Sequence, residues 1–117
     1  MAQKLTVTVN GTPFTATLAD TRAASELAER LAGGPLTLSL RDYAGFEKVG
    51  GLGFSLTATN ERITTSSGDI VLYQGDQIVL FYGENTWGYT RLARVDDLAG
   101  WEEALGSGAV ELVLALS

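Results

Sequence analysis

The chain has 117 residues, with 8 basic and 14 acidic side chains and a net charge of −6. This length is typical of one domain, and 45% hydrophobic residues exclude a disordered chain. We therefore expect a single domain over residues 1–117. Cysteine and histidine are absent, which excludes disulfides, thiolate nucleophiles, a Ser-His-Asp triad and imidazole metal sites. The acidic balance argues against nucleic acid and anionic membranes as partners.

The N-terminus contains no recognisable targeting signal. Met1-Ala2-Gln3-Lys4 leads directly into the alternating residues 5–9, without the apolar core of a signal peptide. The sequence also contains no run of about 20 apolar residues that would span a bilayer. We expect a cytoplasmic protein, although a chain from which a signal had been removed would show the same pattern.

Two kinds of hydrophobic pattern predict β-strands. Most of the candidate strands alternate apolar residues with threonine or other polar residues, as half-buried strands do. Two runs, 70–74 and 77–82, are almost continuously apolar, which is typical of strands covered on both faces. The predicted strands cover residues 4–9, 12–18, 36–41, 53–59, 70–74, 77–82, 89–95 and 109–116. Asn10-Gly11 and Gly75-Asp76 predict tight two-residue turns between consecutive strands.

Two helices are predicted between the strands. Asp20 is the expected N-cap of a helix over residues 21–32, in which apolar residues recur at helical spacing. Gly33-Gly34-Pro35 ends that helix. Asp96 or Asp97 is the expected cap of a second, short helix that runs to Leu105. Eight strands and two short helices favour a mainly β fold, an antiparallel barrel that is closed or nearly so.

The order and content of these segments resemble a known family. The run Leu36 to Lys48, LTLSLRDYAGFEK, is similar to a stretch found in small bacterial proteins with a cyclophilin-like fold. The block Gly68 to Tyr82, followed by Tyr89-Thr90-Arg91-Leu92, is similar as well. The resemblance covers nearly the whole chain and implies a closed antiparallel eight-stranded cyclophilin-like barrel with two short helices.

The resemblance does not transfer an enzymatic activity. Cyclophilins with prolyl isomerase activity carry an arginine followed a few residues later by a phenylalanine and a glutamine, with a tryptophan and a histidine lining the proline pocket. This chain has no histidine and no matching Arg-Phe-Gln spacing. We therefore assign no catalytic residue from the family.

The glycine-rich stretch over residues 42–53 is the first candidate site. It reads as a loop in which Tyr43, Phe46 and Lys48 shape the mouth of a ligand pocket. The alternative, which we favour for this loop, is that the aromatic residues close one end of the barrel. A phosphate-binding loop is not predicted, since the glycines do not lead from a strand into a helix and no Gly-Lys-Ser/Thr follows.

Trp87, Tyr89 and Arg91 form the second candidate site. Alternation along one strand places the three side chains on the same face. An arginine beside two aromatic rings can bind a carboxylate or carbonyl while a ring packs against the apolar part of a ligand. The structural alternative is that Arg91 pairs with Glu47 or Asp42 and holds the loop in place. If a binding surface exists, we expect it where the 42–53 stretch meets this face.

No metal or cofactor site is predicted. Asp96, Asp97, Glu102 and Glu103 belong to one surface helix and its cap, whereas metal ligands converge from several segments. The serines lack a base, because Lys4 and Lys48 are the only lysines and no Ser-x-x-Lys motif occurs.

The sequence leaves three functions open. The leading one is a non-catalytic module that binds a small molecule or a peptide segment in one shallow pocket. The second is a weak peptidyl-prolyl isomerase, which needs only apolar packing around the proline ring and a donor to the prolyl nitrogen. The third is a protein-interaction or assembly subunit with an exposed apolar patch or sheet edge. The sequence does not determine the ligand or the oligomeric state.

Overall fold

The computed structural model describes residues 3–117. Met1 and Ala2, from which the targeting expectation was partly drawn, lie outside the described residues. Within residues 3–117 the chain forms nine strands and two helices. The strands are β1 (Lys4–Val9), β2 (Thr12–Leu18), β3 (Leu36–Tyr43), β4 (Glu47–Gly51), β5 (Glu61–Thr65), β6 (Asp69–Tyr73), β7 (Gln77–Phe81), β8 (Asn85–Val95) and β9 (Val110–Leu116). The helices are α1 (Arg22–Leu31) and α2 (Trp101–Leu105).

The strands form one antiparallel sheet that returns on itself. Its order is β2-β1-β9-β3-β4-β7-β6-β8-β5, and an additional pairing of β2 with β8 joins the two sides into a ring. β5 lies outside this ring, because it pairs only with the first half of β8. The mainly β, antiparallel architecture with two helices is therefore confirmed. The ring contains eight strands, and the ninth is an extension from it.

The two predicted hairpins are present, but only one has the predicted turn. Asn10 and Gly11 both take positive φ angles, 47° and 88°, as a two-residue turn requires. β6 and β7 are instead connected by three residues, since Tyr73 pairs with Gln77. Gln74 and Gly75 take the positive φ angles of that turn, 54° and 80°.

Three of the predicted loop and strand boundaries are wrong. Residues 42–53 are not a loop, because β3 continues to Tyr43 and turns back through Ala44 and Gly45 into β4. The predicted strand over 53–59 is absent, and β5 forms instead over residues 61–65, where no strand was predicted. β8 begins at Asn85 rather than Tyr89 because β5 pairs with it from Asn85 to Tyr89. Neither residues 61–65 nor the first residues of β8 alternate clearly, so their pairing with each other was not visible in the sequence.

The caps of both helices differ from the prediction. Thr21, rather than Asp20, is the N-cap of α1, and its Oγ1 accepts a hydrogen bond of 3.1 Å from the Ala24 backbone N–H. α2 begins after Gly100, which provides no side-chain cap. Asp96 accepts hydrogen bonds from Lys4 and Thr17 on β1 and β2 instead.

The apolar residues of β6 and β7 divide between two clusters. Ile70, Leu72, Ile78 and Leu80 pack into the main core, which also includes buried residues from both helices. On the opposite face, a second cluster consists of the buried residues Val49, Val71, Val79, Phe81 and Tyr89. The continuously apolar runs of β6 and β7 therefore do correspond to strands covered on both faces, as predicted.

Candidate functional site

A concavity of about 420 Å³ lies over the second cluster, on the face of the sheet opposite the main core. The residues around it come from β3, β4, β6, β7 and β8. They are Arg41, Tyr43, Ala44, Phe46, Glu47, Val49, Tyr73, Gln77, Asn85, Trp87 and Tyr89. The concavity thus combines an apolar and aromatic lining with a few polar side chains, as small-molecule and peptide sites do.

The aromatic rings of this region form a connected series. Tyr43 packs edge to face against Phe46, with ring centroids 6.1 Å apart, and Phe46 stacks on Phe81 at 6.3 Å. Phe81 packs edge to face on Tyr89 at 5.4 Å, and Tyr89 lies 6.0 Å from Tyr73. Such contacts fix each ring through its neighbour. These contacts therefore hold the aromatic lining of the concavity in one arrangement, unlike the lining of a mobile loop.

The β3–β4 hairpin places its residues by strand register. Tyr43 is opposite Glu47, and Arg41 is opposite Val49. Residues directly opposite in an antiparallel pair share a face of the sheet, so all four side chains lie on the side of the concavity. Glu47 is also opposite Phe81 of β7, a residue of the second cluster.

The carboxyl of Glu47 is the buried polar group of the concavity. The residue is only 6% exposed, and no side-chain or backbone group within residues 3–117 donates a hydrogen bond to this carboxyl. Burial raises the pKa of Glu47 to about 7, while the charge of Arg41 lowers it and the charge of Asp42 raises it. Near neutral pH the group therefore exchanges between its acid and carboxylate forms.

Lys48, predicted as a binding residue, does not reach the concavity. It follows Glu47 in β4, so strand alternation directs its side chain to the opposite face, and it is completely buried. Its Nζ donates to Asp42 Oδ1 at 3.0 Å and to the backbone carbonyls of Gly106 and Gly108 at 2.9 and 2.6 Å. All three N–H groups of the ammonium are thus used. Lys48 connects β4 to β3 and to the segment before β9.

Asp42 completes this internal polar group. It accepts hydrogen bonds from the Tyr82 hydroxyl and from Lys48. The Tyr82 hydroxyl and Lys48 hold the pKa of Asp42 below its ordinary value, and burial together with the Asp42 charge raises the pKa of Tyr82 to about 12. Asp42 is therefore part of the scaffold behind the concavity.

Arg91 does not reach the concavity either. Trp87 and Arg91 are four residues apart on β8, which places them about 13 Å apart along the strand at ~3.3 Å per residue. Arg91 lies beside Asp69, at an N–O distance of 4.0 Å, in a separate surface depression that Arg94 and Asp96 also line. Arg91, which the sequence suggested as the cation of the site, therefore lies outside the concavity.

The structure brings together four of the predicted site residues. Tyr43 and Trp87 are 56% and 54% exposed at the concavity, Phe46 is half-buried and Tyr89 is buried. The 42–53 stretch and the start of β8 do meet, as predicted. They meet through a paired hairpin and a strand rather than through a loop.

Sequence reasoning missed the polar residues of the concavity. These are Arg41, Glu47, Gln77 and Asn85. Arg41 and Phe46 are five positions apart, which is the arginine-then-phenylalanine order of the isomerase pattern. The orientation of Glu47 could have been predicted in part. In a strand over 47–51, successive side chains point to opposite faces of the sheet, so Glu47 and Lys48 must point in opposite directions. Gln77 and Asn85 carry no local signal, since their strands are brought to the hairpin only by the sheet.

Two further features of the described part of the chain are the arrangement of its carboxylates and the character of its helices. Among residues 3–117 no three carboxylates converge as metal ligands would. Neither of the helices found there has the length and hydrophobicity needed to cross a membrane.

The comparison with known proteins agrees with the architecture. No curated protein is similar enough to this chain to count as a relative. A sequence model of the Cyclophilin-like family matches residues 7–115, which include both helices and all or part of every strand of the ring. The chain therefore belongs to the cyclophilin-like family.

Proposed function

We propose that the protein is a non-catalytic binding module and that its ligand, a small molecule or a peptide segment, occupies the concavity. The observation that carries the proposal is the convergence of five aromatic side chains with one buried, unpartnered carboxyl: Tyr43, Phe46, Tyr73, Trp87, Tyr89 and Glu47. A solvated protein surface gains nothing from two aromatic rings that are more than half exposed. A ligand that covers Tyr43 and Trp87 removes their apolar area from water.

The rigidity of the site supports binding. The aromatic series and the hairpin register hold the lining residues in place, so a ligand does not have to order them. Preformed sites avoid the entropy cost of ordering side chains, which otherwise reduces affinity. The polar side chains Gln77 and Asn85 add directional contacts to an apolar surface. Such groups confer specificity on sites of this kind.

A titration followed by amide chemical shifts tests this function. A set of small aromatic compounds and capped tetrapeptides, with and without proline, is added to the labelled protein. We expect saturable shifts confined to β3, β4 and the first half of β8, and Trp87→Ala should weaken binding about tenfold or more. Leu98→Ala, which removes an exposed apolar side chain outside the concavity, is the matched control. The proposal fails if no compound gives saturable shifts or if the shifts map to another face.

Weak prolyl isomerase activity is the second candidate, and one observation favours it. Arg41 lines the same concavity as Phe46, which follows it by five positions, and as Trp87. A guanidinium beside apolar rings is the arrangement that a donor to the prolyl nitrogen requires. Against this, the glutamine of the concavity, Gln77, comes from a separate strand, and the chain has no histidine.

Exchange between cis and trans prolyl peptides, measured by NMR at high protein concentration, separates the two functions. We expect no acceleration beyond that of a protein blank. An acceleration that Arg41→Ala abolishes and Arg91→Ala preserves would show that the module is an isomerase. Arg91 serves as the control because it is an exposed arginine outside the concavity.

A further inference from the structure

We propose that the concavity selects an organic cation, an ammonium group carried on an apolar or aromatic body, and that Glu47 is its anionic partner. The proposal rests on the proposed binding function, because it specifies the chemistry of the ligand in that same concavity. It concerns a ligand class and a residue to which the family resemblance assigns no role.

The first argument is the state of the Glu47 carboxyl. Burying a carboxylate without a partner costs free energy, so buried carboxylates in proteins are normally paired or hydrogen-bonded. Glu47 is 6% exposed and receives no hydrogen bond from residues 3–117. Every fully inaccessible side-chain polar atom in the described part of the chain has a hydrogen-bond partner. The Glu47 oxygens are therefore reachable from the concavity that the residue lines, and a ligand can supply the missing partner.

The second argument compares Glu47 with the other buried charge of β4. Lys48 is completely buried and has a full set of acceptors in Asp42 and two backbone carbonyls. The fold therefore provides hydrogen-bond partners for Lys48, the buried charge that stabilises the hairpin. The neighbouring carboxyl, on the face of the concavity, is left without such partners. This difference points to an external partner for Glu47.

The third argument is the aromatic lining. Tyr43, Phe46, Tyr73, Trp87 and Tyr89 line the concavity with Glu47. The faces of aromatic rings carry negative electrostatic potential and attract ammonium groups, most strongly where water is excluded. The faces of these rings do not attract an anionic group, and a Glu47 carboxylate repels it. A carboxylate among aromatic side chains is complementary to a positive charge on an apolar body.

The charged and titratable groups around Glu47 allow this assignment. Arg41 lines the concavity but is exposed and forms no ion pair within residues 3–117, so water screens its charge. Asp42 is paired with Lys48, and its position in β3 sends it to the other face. The remaining titratable neighbours are the tyrosine side chains Tyr43, Tyr73 and Tyr89. The net charge of −6 also favours the approach of a cation.

Proton linkage gives the proposal a signature beyond affinity. Because burial raises the pKa of Glu47 to about 7, most Glu47 side chains carry a proton at pH 6.5. A cation bound beside the group favours its carboxylate form, so binding must release that proton. A neutral or anionic ligand produces no such release.

The test compares three probes of similar shape by isothermal titration calorimetry. They are phenethylammonium, 3-phenyl-1-propanol and 3-phenylpropionate. We expect phenethylammonium to bind about tenfold or more tightly than the alcohol, with release of about half to one proton per molecule bound at pH 6.5. Titrations in two buffers of different ionisation enthalpy measure the proton count. Glu47→Gln should abolish both the preference and the release, whereas Glu84→Gln, an exposed residue outside the concavity, should change neither.

Each other outcome overturns the proposal in a distinguishable way. Equal binding of the amine and the alcohol, or a preference that survives Glu47→Gln, shows a binding module without cation selection. Tighter binding of phenylpropionate that Arg41→Gln abolishes shows that Arg41 provides the recognising charge. If none of the three probes binds while a compound from the chemical-shift titration does, the cation assignment fails and the binding function stands. If no compound binds at all, both fail.

Discussion

Glu47 and Lys48 are consecutive residues of β4, and both are buried on opposite faces of the sheet. The Lys48 ammonium is held by one carboxylate and two backbone carbonyls, and it also lies 5.3 Å from the centre of the Tyr82 ring. The Glu47 carboxyl has no corresponding partner. Lys48 thus stabilises the β3–β4 hairpin from the face opposite the concavity. Glu47 provides the buried acidic group of the concavity.

Replacing Lys48 with methionine should destabilise the protein by about 2–4 kcal/mol, because the change leaves Asp42 and two carbonyls without their buried donor. Urea denaturation followed by tryptophan fluorescence measures the change. The matched control is Lys4→Met, which removes an exposed ion pair with Asp96 and should cost less than about 1 kcal/mol. Equal losses in the two variants would show that Lys48 contributes no more than a surface lysine.

Glu47→Gln should make stability depend less on pH. In the folded protein the pKa of Glu47 is about 7, against an ordinary value of 4.5, so the folded state binds more protons than the unfolded state between these values. The contribution of Glu47 to stability therefore falls as pH rises from 4.5 to about 7 and is constant above that.

The Glu47→Gln variant does not lose stability in this way as pH rises, because glutamine does not ionise. We expect it to be more stable than the parent protein by about 2–3 kcal/mol at pH 8, with the difference falling below about 0.5 kcal/mol near pH 4.5. Urea denaturation at a series of pH values measures this difference. A difference that stays constant with pH would mean that Glu47 titrates normally and is not desolvated in the concavity.

Gly50→Ala should destabilise the sheet by about 1–3 kcal/mol through steric overlap. An added Cβ at this position would lie 2.5 Å from the Ser39 carbonyl oxygen and 2.6 Å from Leu40 Cδ2, and a main-chain atom cannot move away cheaply. Gly51 is the adjacent control, because a Cβ there meets nothing within 4 Å. Thermal unfolding of the two variants measures the effect. Similar melting temperatures would contradict the close approach of β4 to β3.

Leu80→Ala should cost about 2–5 kcal/mol, since a completely buried leucine leaves a cavity when it is shortened. Leu80 belongs to the main core and lies in the middle of β7, between β4 and β6. Leu98→Ala, at a surface leucine that is 38% exposed, should cost less than about 1 kcal/mol. A denaturation midpoint that hardly moves in Leu80→Ala would place β7 outside the stability core.

Local chemistry in the sequence was sufficient for part of the fold. The Asn10-Gly11 turn followed from two residues that tolerate positive φ, and α1 followed from apolar residues at helical spacing. The two-sided burial of β6 and β7 followed from their continuous apolar runs. These signals are contained within a few consecutive residues, so they can be interpreted without knowing what the segment packs against.

The strand β5, the early start of β8 and the shape of the site depended on tertiary structure. Segments with weak patterns become strands when a partner distant in the sequence supplies the hydrogen bonds, as β5 and β8 do for each other. The site residues Tyr43, Phe46, Trp87 and Tyr89 were identifiable as exposed or clustered aromatic residues. The charged residues that lie beside them could not be identified from the sequence.

The sequence by itself determined a mainly β domain of the cyclophilin-like family with an aromatic surface formed by two segments. Only the tertiary structure decided that Arg41 and Glu47, rather than Arg91 and Lys48, belong to that surface. The physical reason is register. A shift of one residue along a strand exchanges the two faces of a sheet, and four residues along β8 separate two side chains by about 13 Å. Composition identifies the charges that a chain carries, but the pairing of β3, β4, β7 and β8 determines which of them a ligand meets.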